Sequence, residues 1–202
     1  MKNKKITEKI TQGMYVLTTN DGGCIVDSVA QVSGGDNILI AVSVMKENYT
    51  NELMKKNKKF ALSVLGMNVT PEIIKIFGFN SSRNINKFEY VDTNKVEKLD
   101  VISESLGYMV CEIVDSIDND THTLFIGKII EADMFKDEDA MSYGYYQKHK
   151  EELLKVTTEN GKTAWMCTAC GYVYYGEELP ESYICPVCGV GREKFKELIR
   201  VK

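Results

Sequence analysis

Four cysteines near the end of the chain form two Cys-x-x-Cys knuckles, Cys167/Cys170 and Cys185/Cys188. Each knuckle presents two thiols from one tight turn. Each also runs into a glycine, Gly171 or Gly189, which lets backbone N–H groups approach the sulfurs. Two knuckles together make a tetrahedral cage of four sulfurs, a geometry that suits zinc or iron. The stretch from Ala164 to Lys202 is about 40 residues, near the length below which a domain usually needs a metal or a disulfide. A structural metal supplies roughly 10–16 kcal/mol to such a fold. A pair of disulfides is the competing reading. The chain opens Met1-Lys2-Asn3-Lys4-Lys5 and continues into an amphipathic segment without the apolar core of a secretory leader. The expected location is therefore cytoplasmic, where a double Cys-x-x-Cys is usually a metal site. Cys24 and Cys111 lie in strand-like apolar runs and read as free core thiols. No run of about 18 apolar residues is present, so no membrane span is expected.

Spacing does not separate zinc from iron, but the intervening residues favour iron. Trp165, Tyr172, Tyr174 and Phe195, with Leu179-Pro180, supply an aromatic, water-excluding shell. Such a shell tunes a redox centre, whereas redox-inert zinc gains only folding from it. The segment resembles rubredoxin in Trp165-x-Cys167-x-x-Cys170-Gly171-Tyr172-x-Tyr174, in Cys185-Pro186-x-Cys188-Gly189 and in Phe195. Fourteen residues (171–184) separate the knuckles, fewer than in free-standing rubredoxins and similar to the shortened domain fused to rubrerythrins. The resemblance implies one iron per chain cycling between Fe(III) and Fe(II), with Cys167, Cys170, Cys185 and Cys188 as ligands. Zinc is the substitute that the same cage would accept.

The elements ahead of this module read as one larger domain, residues 1–150, long enough for its own core. With 44% hydrophobic and 27% charged residues, the composition is that of a globular chain rather than a disordered one. A formal charge of −4 leaves no electrostatic footprint for nucleic acid. The polar run that includes Thr157-Thr158-Glu159-Asn160-Gly161 reads as a linker over 151–163, followed by the metal module at 164–202. Tyr15–Thr19 meets a turn signal at Asn20-Asp21-Gly22-Gly23, and Cys24–Val26 follows as a strand. Ile38–Val44 and Phe60–Leu65 are further strands, and Tyr108–Val114 with Thr121–Ile130 flank Asp115–Asp120 as a long hairpin. Two helices are expected, at about 51–59 and 71–77. Thr70 should cap the second, with Pro71 at its first position and Gly78 at its end. Six or more antiparallel strands with a few helices make a mainly β fold, a barrel.

Three stretches of this domain carry chemistry. Lys46, Asn48 and Thr50 precede a helix, with Thr50 in the cap position, and a helix start with a nearby cation and hydroxyl suits an anion. Taken alone, a capped surface helix would explain them as well. Gly78-Phe79-Asn80-Ser81-Ser82-Arg83, followed by Lys87-Phe88, is a polar loop after a helix. His122 sits on a strand, where a lone histidine is more often structural, although it titrates in a useful range. Taken in order, these stretches resemble the FMN-binding split-barrel flavin reductases. The shared pattern includes Gly22–Ser33, Ala41–Val44 with Lys46-x-Asn48-Tyr49-Thr50, Phe77–Arg83 and His122–Gly127. The resemblance spans nearly all of residues 12–150 and implies a homodimer with FMN in a cleft near the subunit interface. It also implies that Asp27, Ser28, Val29, Ala30 and Gln31 line the isoalloxazine, mainly through backbone. Lys46, Asn48 and Thr50 would face the phosphate, with Ser43 nearby. Ser82 and Lys87 would reach the cofactor, and His122 would touch its ring or ribityl side. Asp27 stands where related chains often carry Asn, and Ser82 where they often carry Gly.

Reduced nicotinamide delivers two electrons as hydride, a tetrathiolate iron accepts one, and a flavin handles both transfers. The expected path is NAD(P)H to FMN to iron to an external acceptor. No proton-abstracting triad is required, so no side chain is assigned a catalytic role. The fusion resembles the high-molecular-weight rubredoxins of anaerobic bacteria, which implies a flavodiiron protein as acceptor and reduction of O2 or NO. The chain has no strand–Gly-x-Gly-x-x-Gly–helix unit for nicotinamide. A carrier fed by a protein donor, without NAD(P)H oxidation, is therefore the alternative. A zinc-ribbon interaction module on an FMN-binding scaffold is the third reading.

Overall fold

The computed structural model describes residues 4–154 and 164–198. The chain forms two compact units, 1–145 and 146–202. Of the linker expected over 151–163, residues 155–163 lie outside the described residues.

The first unit is built on one antiparallel sheet. Its strands are β1 (Tyr15–Thr19), β2 (Gly22–Val26), β3 (Val29–Gln31), β4 (Leu39–Met45), β5 (Lys59–Val64), β8 (Gly107–Asp118) and β9 (His122–Met134), in the order β2-β1-β5-β8-β9-β4-β3. The sheet curls upon itself: Cys24 and Val26 from β2 and Ile40, Val42 and Val44 from β4 share one buried cluster with Leu17, Phe60, Leu62, Cys111 and Phe125. Strands near opposite edges thus enclose one apolar interior, the split barrel expected from the sequence. Cys24 and Cys111 are buried free thiols within it. Gly127 on β9 lets Phe60 lie against the strand, since a Cβ there would come within 2.6 Å of the Phe60 ring. On the outer face of β5 and β8, a second cluster of Ala61, Tyr108 and Val110 takes Leu99 and Val101 from the small hairpin of β6 (Thr93–Val96) and β7 (Leu99–Ile102).

Several boundaries differ from the expectation. The β1–β2 turn is only Asn20-Asp21, because Thr19 already pairs with Gly22 and Asp21 takes φ 66°. Helix α1 spans Tyr49–Asn57, two residues earlier than expected. Asn48 rather than Thr50 is its cap, because the Asn48 side chain accepts from the Thr50 N–H. Helix α2 spans Pro71–Phe79 and passes through Gly78. Thr70 stands at its cap position but turns its hydroxyl to Glu104, donating to Oε2 at 2.6 Å. The β8–β9 hairpin is longer than expected, with irregular register at Val110/Cys111 and Ile113/Asp115. The β6–β7 hairpin escaped the sequence reading because its turn residues, Glu97 and Lys98, both take positive φ without being Asn or Gly.

A third helix, α3 (Tyr143–Leu153), was also not expected, and the division between units falls in its first turn. The remainder of α3 belongs to the second unit. There β10 (Ala164–Cys167) pairs with β11 (Val173–Tyr175) on one side and β12 (Phe195–Leu198) on the other.

Candidate functional site

In the first unit, Lys46, Asn48, Thr50 and His122 stand at the start of α1 and the adjoining strand ends. Lys46 follows β4 directly, and its N–H donates to Thr121 O at 2.9 Å. Met45 pairs with His122, so His122 stands beside this segment, its Nδ1 2.8 Å from Thr121 Oγ1. Asn48 caps α1, and Thr50 follows in its first turn. The Thr50 hydroxyl is buried near the Cys24 thiol yet makes no hydrogen bond of ordinary geometry. A buried hydroxyl without a partner at a helix N-terminus fits an anionic group placed there, because the helix dipole favours negative charge.

Ser82 and Lys87 approach from the loop after α2, and both grip Gly23 at the start of β2. Ser82 Oγ accepts from the Gly23 N–H at 3.2 Å. Lys87 is buried, and its ammonium donates to Gly23 O at 2.8 Å and to Phe77 O at 3.2 Å. Burial lowers the Lys87 pKa to about 8, against the pull of the neighbouring Cys24. Burial in turn pushes the Cys24 thiol up, while Thr50, Lys87 and Asn48 act the other way. Asp27, Ser28, Val29, Ala30 and Gln31 run from the end of β2 into edge strand β3. Ser28 Oγ accepts from Gln12 at 2.8 Å and donates to Asp27 at 3.0 Å, so the Asp27 carboxylate is turned to its own neighbour. Val29 to Gln31 is edge strand β3, and Ser43 joins it to the sheet by donating its N–H to Ser28 O at 3.0 Å.

Two residues outside the expected set belong to this region. Arg83 pairs with Glu52 and lies 4.3 Å over the Tyr49 ring, fastening the loop to the first turn of α1. Asn51 is buried, donating to Val44 O at 2.9 Å and tying α1 to β4. Arg83 was the last residue of a quoted motif without being assigned a role; for Asn51 the sequence offered no signal beyond its place in a helix. An open polar groove lined in part by Asn20, Arg83, Lys95 and Lys98 includes, of the expected flavin residues, Ser82 alone.

In the second unit, the two cysteine knuckles repeat one hydrogen-bond pattern. Cys167 N–H donates to Tyr172 O and Gly171 N–H to Cys167 O, each at 2.8 Å. Cys185 N–H donates to Val190 O at 2.8 Å, and Gly189 N–H to Cys185 O at 2.9 Å. Gly171 and Gly189 have φ of 88° and 71°, the left-handed turn that only glycine adopts readily. The turn aims the Tyr172 N–H at Cys170 Sγ, 3.5 Å away. All four sulfurs lie within 4.8 Å of one another, and the pairs Cys167–Cys188 and Cys170–Cys185 are 3.7 Å apart. Metal–sulfur bonds of about 2.3 Å place the corners of a tetrahedron about 3.8 Å apart, so the cage fits one thiolate-bound metal ion. A disulfide requires sulfurs about 2.0 Å apart. Burial pushes Cys170 well above its ordinary range and Cys188 to about 11. At Cys167 burial acts the same way, but the backbone N–H groups of Cys170 and Ala169 outweigh it and lower the pKa. The expected aromatic shell includes one more member, Tyr183, with ring centroids 4.8 Å from Tyr174 and 5.3 Å from Phe195.

Residues 7–154 match the flavin reductase like domain family, and residues 165–196 the rubrerythrin, rubredoxin-like domain family. A high molecular weight rubredoxin of Moorella thermoacetica is 30% identical, over 96% of this chain and 99% of that one. The chain belongs to the high molecular weight rubredoxins. Membership makes it a flavin-dependent oxidoreductase with a rubredoxin-like four-cysteine site. A ferric-chelate reductase (NAD(P)H) of Archaeoglobus fulgidus is 32% identical over 71% of this chain and 88% of its own. A Streptomyces globisporus NADH:FAD oxidoreductase, solved in complex with NAD and FAD fragments, superposes with a TM-score of 0.60 at 21% identity. That likeness covers 69% of this chain and 84% of the other, and it establishes the split-barrel fold that high molecular weight rubredoxins share with such reductases. Among the described residues, no helix is long and apolar enough to cross a membrane.

Proposed function

We propose that this chain is an NAD(P)H oxidoreductase of the cytoplasm that passes electrons through FMN to iron held by Cys167, Cys170, Cys185 and Cys188, and on to an external acceptor. The observation that carries the reading is the coexistence, in one chain, of a flavin-reductase fold and a four-sulfur cage of single-metal dimensions. When bound, the flavin accepts hydride from nicotinamide and the iron carries single electrons onward. Residues 1–150 would hold the flavin, and the module from residue 164 the iron. At the start of α1, Lys46, the Asn48-capped N–H groups and the Thr50 hydroxyl hold the phosphate, with Ser43 and His122 beside them. The backbone of Asp27, Ser28, Val29, Ala30 and Gln31 offers donors and acceptors to the ring. Ser82 and Lys87 act by holding Gly23, and so the start of β2, in place. The cysteines bind the iron as thiolates, and the aromatic shell excludes water from them.

NAD(P)H as donor is supported by the names of the Archaeoglobus and Streptomyces relatives. A homodimer with the flavin near its interface and a flavodiiron O2/NO reductase as acceptor complete the proposal. The absence of a Gly-x-Gly-x-x-Gly unit favours one second reading, a carrier that receives electrons from a protein donor.

Anaerobic titration of the FMN-loaded protein with NADH, then NADPH, followed by visible absorption, separates the two. Bleaching of both the flavin and the iron–thiolate bands is expected. If both centres are present and neither nucleotide bleaches them, the protein-fed carrier is the correct reading.

A further inference from the structure

The first cysteine knuckle is covered by side-chain donors from α3. Three consecutive carbonyls of the knuckle, Thr168, Ala169 and Cys170, each accept from a side chain of α3. Lys150 Nζ donates to Thr168 O at 2.5 Å, Gln147 Nε2 to Ala169 O at 2.9 Å and Tyr146 Oη to Cys170 O at 2.8 Å. The approach is close enough to exclude any side chain at Gly171, where a Cβ would fall 2.7 Å from Tyr146 Oη and 3.4 Å from Lys150 Cδ. Lys150 is 6% exposed. Its second acceptor is Gln147 Oε1 at 2.8 Å, so among the described residues both hydrogen-bond partners of the ammonium are neutral. A buried cation without a bonded carboxylate therefore stands on the backbone between Cys167 and Cys170. Its field reaches the sulfurs with little screening, because the surroundings are less polarisable than water.

We propose that Lys150 sets the reduction potential of the four-cysteine centre, acting as a fixed positive charge that favours the reduced state. Four thiolates around a ferric ion sum to one negative charge, and around a ferrous ion to two. One added electron changes the charge that Lys150 faces, with no bond made or broken and no proton required. The cation thus stabilises the reduced centre more than the oxidised one. Burial lowers the Lys150 pKa, while Cys170, Cys167 and Cys188 favour its charged form and the Lys196 ammonium opposes them. In this role α3 belongs functionally to the metal module, and Lys150 is a tuning residue rather than a ligand. The proposal rests on the centre being redox-active iron.

The test is an equilibrium redox titration of the full-length protein, with mediators and dithionite, following the iron–thiolate absorption after iron content has been measured. Lys150→Met keeps most of the apolar stem against Gly171 and removes the charge. It should shift the reduced-to-oxidised ratio at a fixed potential about tenfold toward oxidised, a fall of about 59 mV for one electron. Lys150→Arg should stay near wild type. Lys150→Gln, which retains N–H donors for Thr168 O, should fall with Lys150→Met, and it decides the matter if Lys150→Met fails to load iron. An unchanged potential in an iron-replete Lys150→Gln or Lys150→Met protein overturns the proposal while leaving the iron reading intact. Native protein carrying zinc, with no iron–thiolate band, overturns both.

Discussion

Each unit buries a lysine beside cysteine sulfur, and the two lysines face different chemistry. Lys87 donates to Gly23 O and Phe77 O, and Lys150 to Thr168 O and Gln147 Oε1. Both lose hydration, and in both burial is the leading cause of a lowered pKa. The difference lies in the sulfur. Cys24 is a single thiol whose own pKa burial raises, so its pull on Lys87 is outweighed by desolvation and the Lys87 pKa falls to about 8. The sulfurs near Lys150 are metal ligands in the proposed function, and ligation requires the thiolate. A buried cation beside a neutral thiol is a structural pin with an electrostatic cost. Beside a thiolate cage, it biases a charge that changes during turnover.

The largest effect should come from breaking the cage itself. Cys185 is 2% exposed and supplies one corner of the tetrahedron. Cys185→Ala should release the metal and with it most of the roughly 10–16 kcal/mol that a structural site contributes. The second unit should then lose its cooperative unfolding transition while the first keeps its own. Reduction of the flavin by NADH should survive, and transfer to the acceptor should fall to background. Stoichiometric iron in the variant, or retained transfer, would contradict this.

Lys87 tests the other side of the comparison at a smaller scale. Lys87→Met takes the Lys87 donor from Phe77 O and leaves Gly23 O with only the longer contact from Ser82 Oγ at 3.4 Å, a destabilisation of about 1–3 kcal/mol. The same substitution should remove a pH dependence. Below about pH 8 the ammonium is charged in both folded and unfolded chains, and its burial cost is present in full. As pH rises through 8, the folded chain sheds the proton first, while the unfolded chain holds it until near 10.5. The unfolded state then binds more protons, so stability should rise with pH, by up to about 1.4 kcal/mol per unit. Above 9.0 the Cys24 thiol, raised by burial, opposes the trend, because it ionises first in the unfolded chain. Urea unfolding followed by circular dichroism between pH 8 and 9 should show a steeper rise in the wild type than in Lys87→Met. Equal slopes would mean that Lys87 is not the group titrating.

Legibility from the sequence followed the range of the interactions involved. The cysteine cage was readable because its ligands sit in two tight turns, and glycine after each knuckle is a local requirement. The mainly β pattern, the long hairpin and the barrel were readable from apolar runs broken by turn signals, and the split-barrel family from the resemblance. What the sequence hid depended on contacts between distant segments. Helix α3 has a capping serine, Ser142, whose Oγ accepts from the Tyr145 N–H at 3.1 Å, but it begins Tyr143-Gly144-Tyr145 with no acidic residue in its first turn, so charge does not announce it. The part of α3 from Tyr146 onward is explained by what it covers, carbonyls more than 15 residues away. Lys87 was selected as a flavin contact from its motif, whereas its turn toward Gly23 and Phe77 requires β2 and α2 to be in place. Asn48 displaced Thr50 as the cap for a local reason that the sequence held: two cap-forming side chains stand two residues apart, and Asn48 accepts from the Thr50 N–H.

That displacement supplies the finest test, since it leaves the Thr50 hydroxyl buried and unpartnered. A structural hydroxyl and a ligand-binding one make opposite predictions for Thr50→Val, which keeps the shape and removes the oxygen. If the hydroxyl serves only the fold, the substitution should lower stability. If it waits for an anion, the flavin-free protein should become more stable by about 1 kcal/mol, because an unsatisfied buried group is removed. FMN should meanwhile bind about tenfold more weakly, the loss of one hydrogen bond to a charged group. Thermal unfolding of the flavin-free protein and fluorescence titration with FMN measure the two quantities independently. The opposite signs would establish Thr50 as part of the phosphate cradle. Unchanged FMN affinity would remove Thr50 from the cradle and leave the α1 start to its backbone N–H groups and Lys46.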